Sequence, residues 1–214
     1  MFRFAKIALP ANEVGVSPAP RDEIKLLARS VQSGDSRAAR TLLNGLGPVM
    51  LRVIRKVIGQ AHCDANDVLQ DAMLGLMKGL ASFREECSVM HFACRVAVIT
   101  ALAARRQQRR RGGDEPAPRP SDLDGLPAGA LDPAEEAEAA ARRAVLWRLL
   151  DELPVKQAEA LALHCVEGFS IDEVASAEGC PAETVRSRLR LAKASLRTRI
   201  AEDLSARDFF TREP

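Results

Sequence analysis

The stretch Ser170–Arg199, SIDEVASAEGCPAETVRSRLRLAKASLRTR, reads as two helices joined by a tight turn. Ser170 can accept a hydrogen bond from the backbone N–H of Glu173, and the Glu173 carboxylate can reach back to the N–H of Ser170. That reciprocal pair is a capping box, which opens a helix. Ile171, Val174 and Ala175 give this first helix an inner face. Glu178-Gly179-Cys180 breaks it, because Gly179 can take left-handed backbone angles. Pro181 suits the first position of the next helix, where its missing N–H costs nothing. Val185, Leu189, Ala192 and Leu196 then recur on one side at helical spacing. Glu183, Ser187 and Arg190 point the opposite way, with Thr184 and Arg186 on the flanks. A short helix, a glycine turn and a longer helix with a basic outer face make the helix-turn-helix pattern.

That pattern predicts contact with duplex DNA. An α-helix fits the major groove, arginine can make two parallel hydrogen bonds to guanine, and further cations hold phosphates. Arg186, Ser187 and Arg190, with Thr184 beside them, are expected near base edges, and Arg188 and Lys193 nearer the DNA backbone. The plainer reading is a solvated basic face on a core helix. The capping box, glycine turn, proline start and basic outer face favour DNA in combination.

Composition sets the fold class. The chain has 214 residues, 47% of them hydrophobic, only 4% aromatic and none of them Tyr. Abundant Ala, Leu and Arg favour helices over sheets, so the expected class is all-α, with two small helical domains on a flexible linker. The formal net charge is only +2, but its distribution is uneven. Arg105, Arg106, Arg109, Arg110 and Arg111 form one basic run, Arg186 to Arg199 forms another, and Asp132, Glu135, Glu136 and Glu138 lie between them. Two separated basic surfaces point to two contacts with nucleic acid. The five cysteines, Cys63, Cys87, Cys94, Cys165 and Cys180, show no paired spacing, so reduced thiols are expected. The apolar patch Ile7-Ala8-Leu9 is too short for a signal peptide, and no stretch approaches a membrane span.

In chain order, residues 1–20 carry Pro10, Gly15, Pro18 and Pro20 and read as a mobile tail. Residues 21–111 read as the first domain. Within it a helix is expected over Asp22–Val31 and another through Ala38, Ala39, Leu42 and Leu43 that stops near Asn44-Gly45. A third should start at Gly47-Pro48 and end at Gly59. Asp64 is placed to cap a helix over Ala65–Phe83. Leu69, Ala72, Leu76, Leu80 and Phe83 form its apolar stripe, while Asp67, Asp71, Leu74 and Lys78 share the opposite side with Gln70 beside them. A leucine among carboxylates suggests a partner surface, against the plain reading of one exposed apolar residue. Val89–Arg111 reads as a helix apolar nearly all round, which must be packed on most sides. Its end, ARRQQRRR, can hold phosphates, and five arginines exceed what complementing a helix dipole requires. Residues 112–134 are rich in Gly and Pro and read as the linker. Residues 135–204 form the second domain, with Trp147 as core rim or interface anchor, a helix over Gln157–Val166, and the helix-turn-helix. Residues 205–214 are expected to fray.

No catalytic grouping emerges. Cys87, His91 and Cys94 share one helical side, but a zinc site wants four ligands or three plus water, and only His62 and Cys63 lie near. Buried thiols are the better reading. No phosphate-binding Gly loop and no nucleophile–base grouping is present, so neither a cofactor nor an enzymatic activity is expected.

Two separate blocks resemble one family. Leu153–Arg197, LPVKQAEALALHCVEGFSIDEVASAEGCPAETVRSRLRLAKASLR, is similar to the C-terminal domain of bacterial RNA polymerase sigma factors of the extracytoplasmic-function group. DANDVLQDAMLGLMKGLASFR (Asp64–Arg84), continuing through FACRVAVITALAARRQQRRR (Phe92–Arg111), resembles their N-terminal domain. Order, separation and linker all fit, with no middle domain between. The resemblance implies a dissociable polymerase subunit that gives the core enzyme its promoter choice. It implies that the helix carrying Asp67, Gln70 and Asp71, with Leu74, docks on a coiled coil of the largest polymerase subunit. It assigns Phe92–Arg111, with Arg105, Arg106 and Arg109, to the minus-ten element, and Pro181–Lys193 to the minus-thirty-five element. It further implies a cytoplasmic location, no membrane insertion, a monomer when free of partners, and an anti-sigma factor that clamps the two domains.

The sequence departs from the family at several points. Phe92 stands where a Trp is usual, Val98 and Ile99 where an Arg-Asn pair is usual, and an acidic residue common near Ala103 is absent. The loop before the helix carries Glu85, Glu86 and Cys87. Strand capture is therefore expected to be weak or differently specific. Phe92 is the one aromatic platform in that helix for an unstacked base, and a place in the core is the favoured reading. Two alternatives stay open: a stand-alone helix-turn-helix regulator acting as a homodimer, and a sigma-like protein-interaction module that does not bind DNA.

Overall fold

The computed structural model describes residues 21–59, 64–110 and 145–202. Residues 1–20, 60–63, 111–144 and 203–214, on which the expectations of tails and of a linker fall, lie outside the described residues. Among those described there is no strand. Four helices form the N-terminal unit: α1 (Arg21–Gln32), α2 (Ser36–Ile58), α3 (Ala65–Leu80) and α4 (Val89–Arg110). The C-terminal unit holds α5, helical over 145–151, then α6 (Val155–Leu161) running into a π-helical turn (Ala162–Val166), α7 (Ile171–Glu178) and α8 (Ala182–Glu202).

Helix α4 is the axis of the molecule. Val89, Ala93, Cys94, Ala97, Val98, Ala101 and Leu102 are buried along it. It packs on α1, α2 and α3 on one side and on α6, the π turn and α7 on the other. That double packing is why its sequence is apolar nearly all round. The departure at Val98 therefore has a structural content: Val98 is 1% exposed and belongs to the core, while Ile99 is half-buried. Phe92 is packed too. Its ring centroid lies 5.1 Å from that of Phe83, and a Cβ on Gly79 would come within 2.6 Å of its ring. Gly79 is small because α3 and the Phe92 ring must meet there.

Helix α2 corrects an expectation. Instead of stopping at Asn44-Gly45 and restarting at Gly47-Pro48, it runs unbroken, with Pro48 inside. Leu42, Leu46, Met50, Val53, Ile54 and Val57 form one buried stripe across the supposed break. An interior proline costs about 3 kcal/mol, but most helical stability in a folded protein comes from packing of such a stripe. Asp35 caps this helix, accepting from the N–H groups of Arg37 (2.8 Å) and Ala38 (3.2 Å). Asp64, by contrast, makes no side-chain capping bond to α3, which ends at Leu80 rather than Phe83.

The acidic loop before α4 is a clamp for α1. Glu85, at φ 58°, accepts from Arg29 Nε (2.5 Å) and Nη2 (2.9 Å), with Lys25 Nζ at 2.9 Å. Hydrogen bonds from Arg29 and then Lys25 hold its carboxyl down at about 2. Gln32 Nε2 adds bonds to the carbonyls of Leu80 (3.0 Å) and Phe83 (2.9 Å).

In the C-terminal unit the capping box forms as the sequence predicts. Ser170 N–H donates to Glu173 Oε2 (2.8 Å), and Glu173 N–H donates to Ser170 Oγ (3.2 Å). Gly179 closes α7 at φ 63°, in the left-handed region. The expected helix Gln157–Val166 is α6 plus the π turn, whose widened backbone brings His164 Nδ1 within 2.7 Å of the Phe169 carbonyl.

Candidate nucleic-acid interface

Helix α8 buries Val185, Leu189, Ala192, Leu196 and Ile200. Its opposite face is open: Glu183, Arg186 and Arg190 are exposed, and Thr184, Ser187 and Lys193 half-buried. Arg186 pairs with Glu183 at 3.2 Å, but both are solvated, so the pair is weak and exchangeable. Leu191 is 51% exposed on this face, a residue that sequence reading passed over. Its signal was the lone apolar side chain among outward polar ones, visible once α8 is wound as a helix.

Arg188, expected nearer the DNA backbone, also has a partner within the chain. It pairs closely with Glu178, whose side chain is fully buried, and lies 3.6 Å from Cys180 Sγ. Burial pushes the Glu178 carboxyl up, nearby Glu159 adds to this, and Arg188 pulls the other way. Arg188 thus holds α7 to α8 across the turn.

On α3, Asp67, Gln70 and Asp71 are all exposed, and Leu74 is 59% exposed. The four form one outward ridge backed by buried Val68, Ala72 and Leu76.

The arginines at the end of α4 meet the C-terminal unit. Arg105 makes a two-bond fork to Asp151, 3.1 Å to Oδ1 and 3.0 Å to Oδ2, and also donates to the Val57 carbonyl (3.2 Å). The Asp151 carboxylate is 1% exposed, and the Arg105 guanidinium stands 5.7 Å from the Trp147 ring centroid. Trp147 is itself buried, so it is an anchor of this contact. Arg106 donates to the carbonyls of Asp151 (3.4 Å) and Leu153 (3.1 Å), and Arg109 to that of Arg148 (3.2 Å). Farther along α4, Arg95 Nε donates to buried Glu159 at 2.7 Å, where Lys156 completes the pairing at 2.9 Å. His91 stacks its ring 4.4 Å from that of Phe169 and lies 3.6 Å from Glu173. Sequence reading missed Asp151 and Glu159. The signal for Glu159 was one carboxylate inside the apolar run Ala158–Leu163.

The four cysteines among the described residues offer little chemistry. Burial pushes the thiols of Cys87, Cys165 and Cys180 up and that of Cys94 to about 12, which suppresses the reactive thiolate. Among the described residues no group of three His, Cys, Asp or Glu is placed to hold a metal ion. No described helix is long and apolar enough to cross a membrane.

Comparison with known proteins agrees with both halves of this layout. Residues 42–111 match Sigma-70 region 2, and residues 143–196 match Sigma-70, region 4. The chain is 27% identical over 186 residues to the ECF RNA polymerase sigma-E factor of Escherichia coli K12, covering 82% of this chain and 93% of that one. It is 29% identical, with the same coverage, to the RNA polymerase sigma-H factor of Pseudomonas aeruginosa. Its fold is similar to that of CnrH, solved in complex with the cytosolic domain of CnrY, at a TM-score of 0.51 and 21% identity, covering 85% of this chain and 99% of that one. The two matched regions together span more than half of the chain in the expected order. The chain belongs to the extracytoplasmic-function group of sigma-70 factors, and it binds RNA polymerase and promoter DNA to direct transcription initiation.

Proposed function

We propose that the two units divide that task by residue. Within the N-terminal unit, 21–111, the ridge Asp67, Gln70, Asp71 and Leu74 docks on the coiled coil of the largest polymerase subunit. Within the C-terminal unit, 135–204, the outer face of α8 reads the minus-thirty-five element, with Arg186, Ser187 and Arg190 at base edges and Thr184 and Lys193 at the margins. Leu191 lies on that face as an apolar surface for a thymine methyl. Arg105, Arg106 and Arg109 hold phosphate at the minus-ten element once they leave Asp151 and its neighbouring carbonyls. Arg188 serves the reading helix through Glu178. The protein works where the polymerase is, in the cytoplasm, as a monomer when free of partners. CnrH, similar in fold, was solved in complex with the cytosolic domain of CnrY; this chain likewise takes a protein partner, an anti-sigma factor.

The observation that carries this reading is the openness of both working faces: among the described residues, none covers the acidic ridge of α3 or the outward side of α8. The test is transcription reconstituted with core polymerase. Asp71→Arg should weaken polymerase capture while α8 still binds DNA. Capture equal to that of the unmodified chain would remove α3 as the docking element.

A further inference from the structure

Two buried carboxylates of the C-terminal unit, Glu159 and Glu178, are unequally served. Glu159 of α6 has both oxygens paired: Arg95 Nε of α4 reaches Oε1 at 2.7 Å, and Lys156 Nζ reaches Oε2 at 2.9 Å. The side chain of Glu178, at the end of α7, is fully buried. Its Oε2 accepts from Arg188 of α8 and, at 3.7 Å, from the thiol of Cys180. Its Oε1 is buried with no hydrogen-bond partner among the described residues. A carboxylate in that position is costly as an anion. Burial pushes the Glu178 carboxyl up and Glu159 adds to this, while Arg188 foremost, then Lys156 and Arg95, pull it down. Helix α8 gives Arg188 a second place to go. Arg188 lies four residues after Thr184 and three before Leu191, so the three share one stripe of the helix. Its side chain is 24% exposed, enough for the guanidinium to meet a phosphate beside that stripe.

We propose that Glu178 couples promoter reading to proton uptake: duplex DNA draws the Arg188 guanidinium from Glu178 onto a phosphate, and a proton from the buffer takes its place on the carboxylate. This rests on reading the outer face of α8 as the DNA contact. The guanidinium stays charged throughout, so the one proton gained ends on Glu178. Without that proton, departure of Arg188 leaves a buried anion with no cation on either oxygen, beside the anionic Glu159. The exchange therefore needs the proton. Loss of Arg188 also removes the foremost group that holds the carboxyl down. The DNA-bound form thus takes up its proton at a higher pH than the free form. By linkage, acid favours DNA binding over the interval between those two titrations, and above it Glu178 keeps Arg188 from the phosphate. Glu178 is a positioning residue: it touches no DNA and acts through the arginine it holds or releases.

The test is the affinity of the reconstituted holoenzyme for a promoter duplex, followed by fluorescence anisotropy from mildly alkaline to mildly acidic buffer. The unmodified holoenzyme should bind more tightly as the pH falls, by at most about tenfold per pH unit because a single proton is taken up. Glu178→Gln keeps the shape of the neutral carboxyl. It should bind at every pH as the unmodified protein does in acid, with a flatter profile. Other titrating groups act alike in both proteins, so the difference between the profiles isolates Glu178. Parallel profiles would overturn the proposal. If Glu178→Gln loses its helical circular dichroism, Glu178→Leu, of similar volume and equally unable to titrate, makes the same comparison. Failure of the α8 reading is separable: Arg190→Ala would then bind every promoter variant as the unmodified holoenzyme does. Failure of the proton coupling alone leaves the Arg190→Ala loss in place.

Discussion

Arg188 and Arg190 stand two positions apart on α8 and do different work. Arg190 faces water, so its role lies in what it meets from outside. Arg190→Ala should cost about 1–3 kcal/mol of discrimination at one base step, measured by competition among promoter variants with the reconstituted holoenzyme. Equal loss on every sequence would make it a phosphate contact. Leu191→Ala should abolish a preference for thymine over uracil at the adjoining step, because those bases differ by the methyl group alone. Arg188 belongs to Glu178. Arg188→Ala strands a buried carboxylate, and breaking such a pair costs about 3–5 kcal/mol, read as a fall in the melting temperature. Burial already raises the Glu178 carboxyl above its ordinary value. The folded form therefore takes up a proton more readily than the unfolded chain, so the deficit should shrink as the pH is lowered. A deficit independent of pH would assign the loss to packing instead.

The helices differ in how far local pattern governs them. In α7 and α8 the capping box, Gly179 and the apolar spacing all agree, and each forms as the residues dictate. In α2 the local signals and the long-range packing conflict. Asn44-Gly45 and Gly47-Pro48 mark a break, yet the helix continues because α3 and α4 cover its stripe. Gly47 sits where a Cβ would come within 2.8 Å of Met73 Cε, so its small size serves close approach rather than a turn. Pro48 is exposed and its missing N–H serves no partner in the helix. Pro48→Ala should stabilise the chain by about 2 kcal/mol, the ~3 kcal/mol cost of an interior proline less the ~1 kcal/mol it contributes by stiffening the unfolded state. Urea unfolding measures this, and a destabilised variant would mean that the proline shapes the helix for its neighbours.

The molecule as a whole carries two basic surfaces, and here Arg105, Arg106 and Arg109 of α4 bond to groups of the C-terminal unit while Arg186 and Arg190 of α8 face outward. Free-chain binding to duplex DNA should therefore reflect α8 alone, with a modest salt slope. With polymerase bound and Arg105, Arg106 and Arg109 given over to the minus-ten element, these arginines add phosphate contacts, and each contact steepens the logarithmic salt dependence by about 0.9. Binding isotherms at several salt concentrations, with and without core polymerase, check this. Equal slopes would keep Arg105, Arg106 and Arg109 away from DNA in both states.

The residues alone were sufficient for the all-α class, the helix-turn-helix, the outward acidic ridge and the family, because each is written in local periodicity, capping and turn chemistry. They did not disclose that Arg188 is bound to Glu178, that α2 runs through Pro48, or that Arg105 forks onto Asp151. Those features depend on which charges and apolar stripes meet after the helices pack, and partners 46 residues apart, as Arg105 and Asp151 are, leave no periodic trace in a chain.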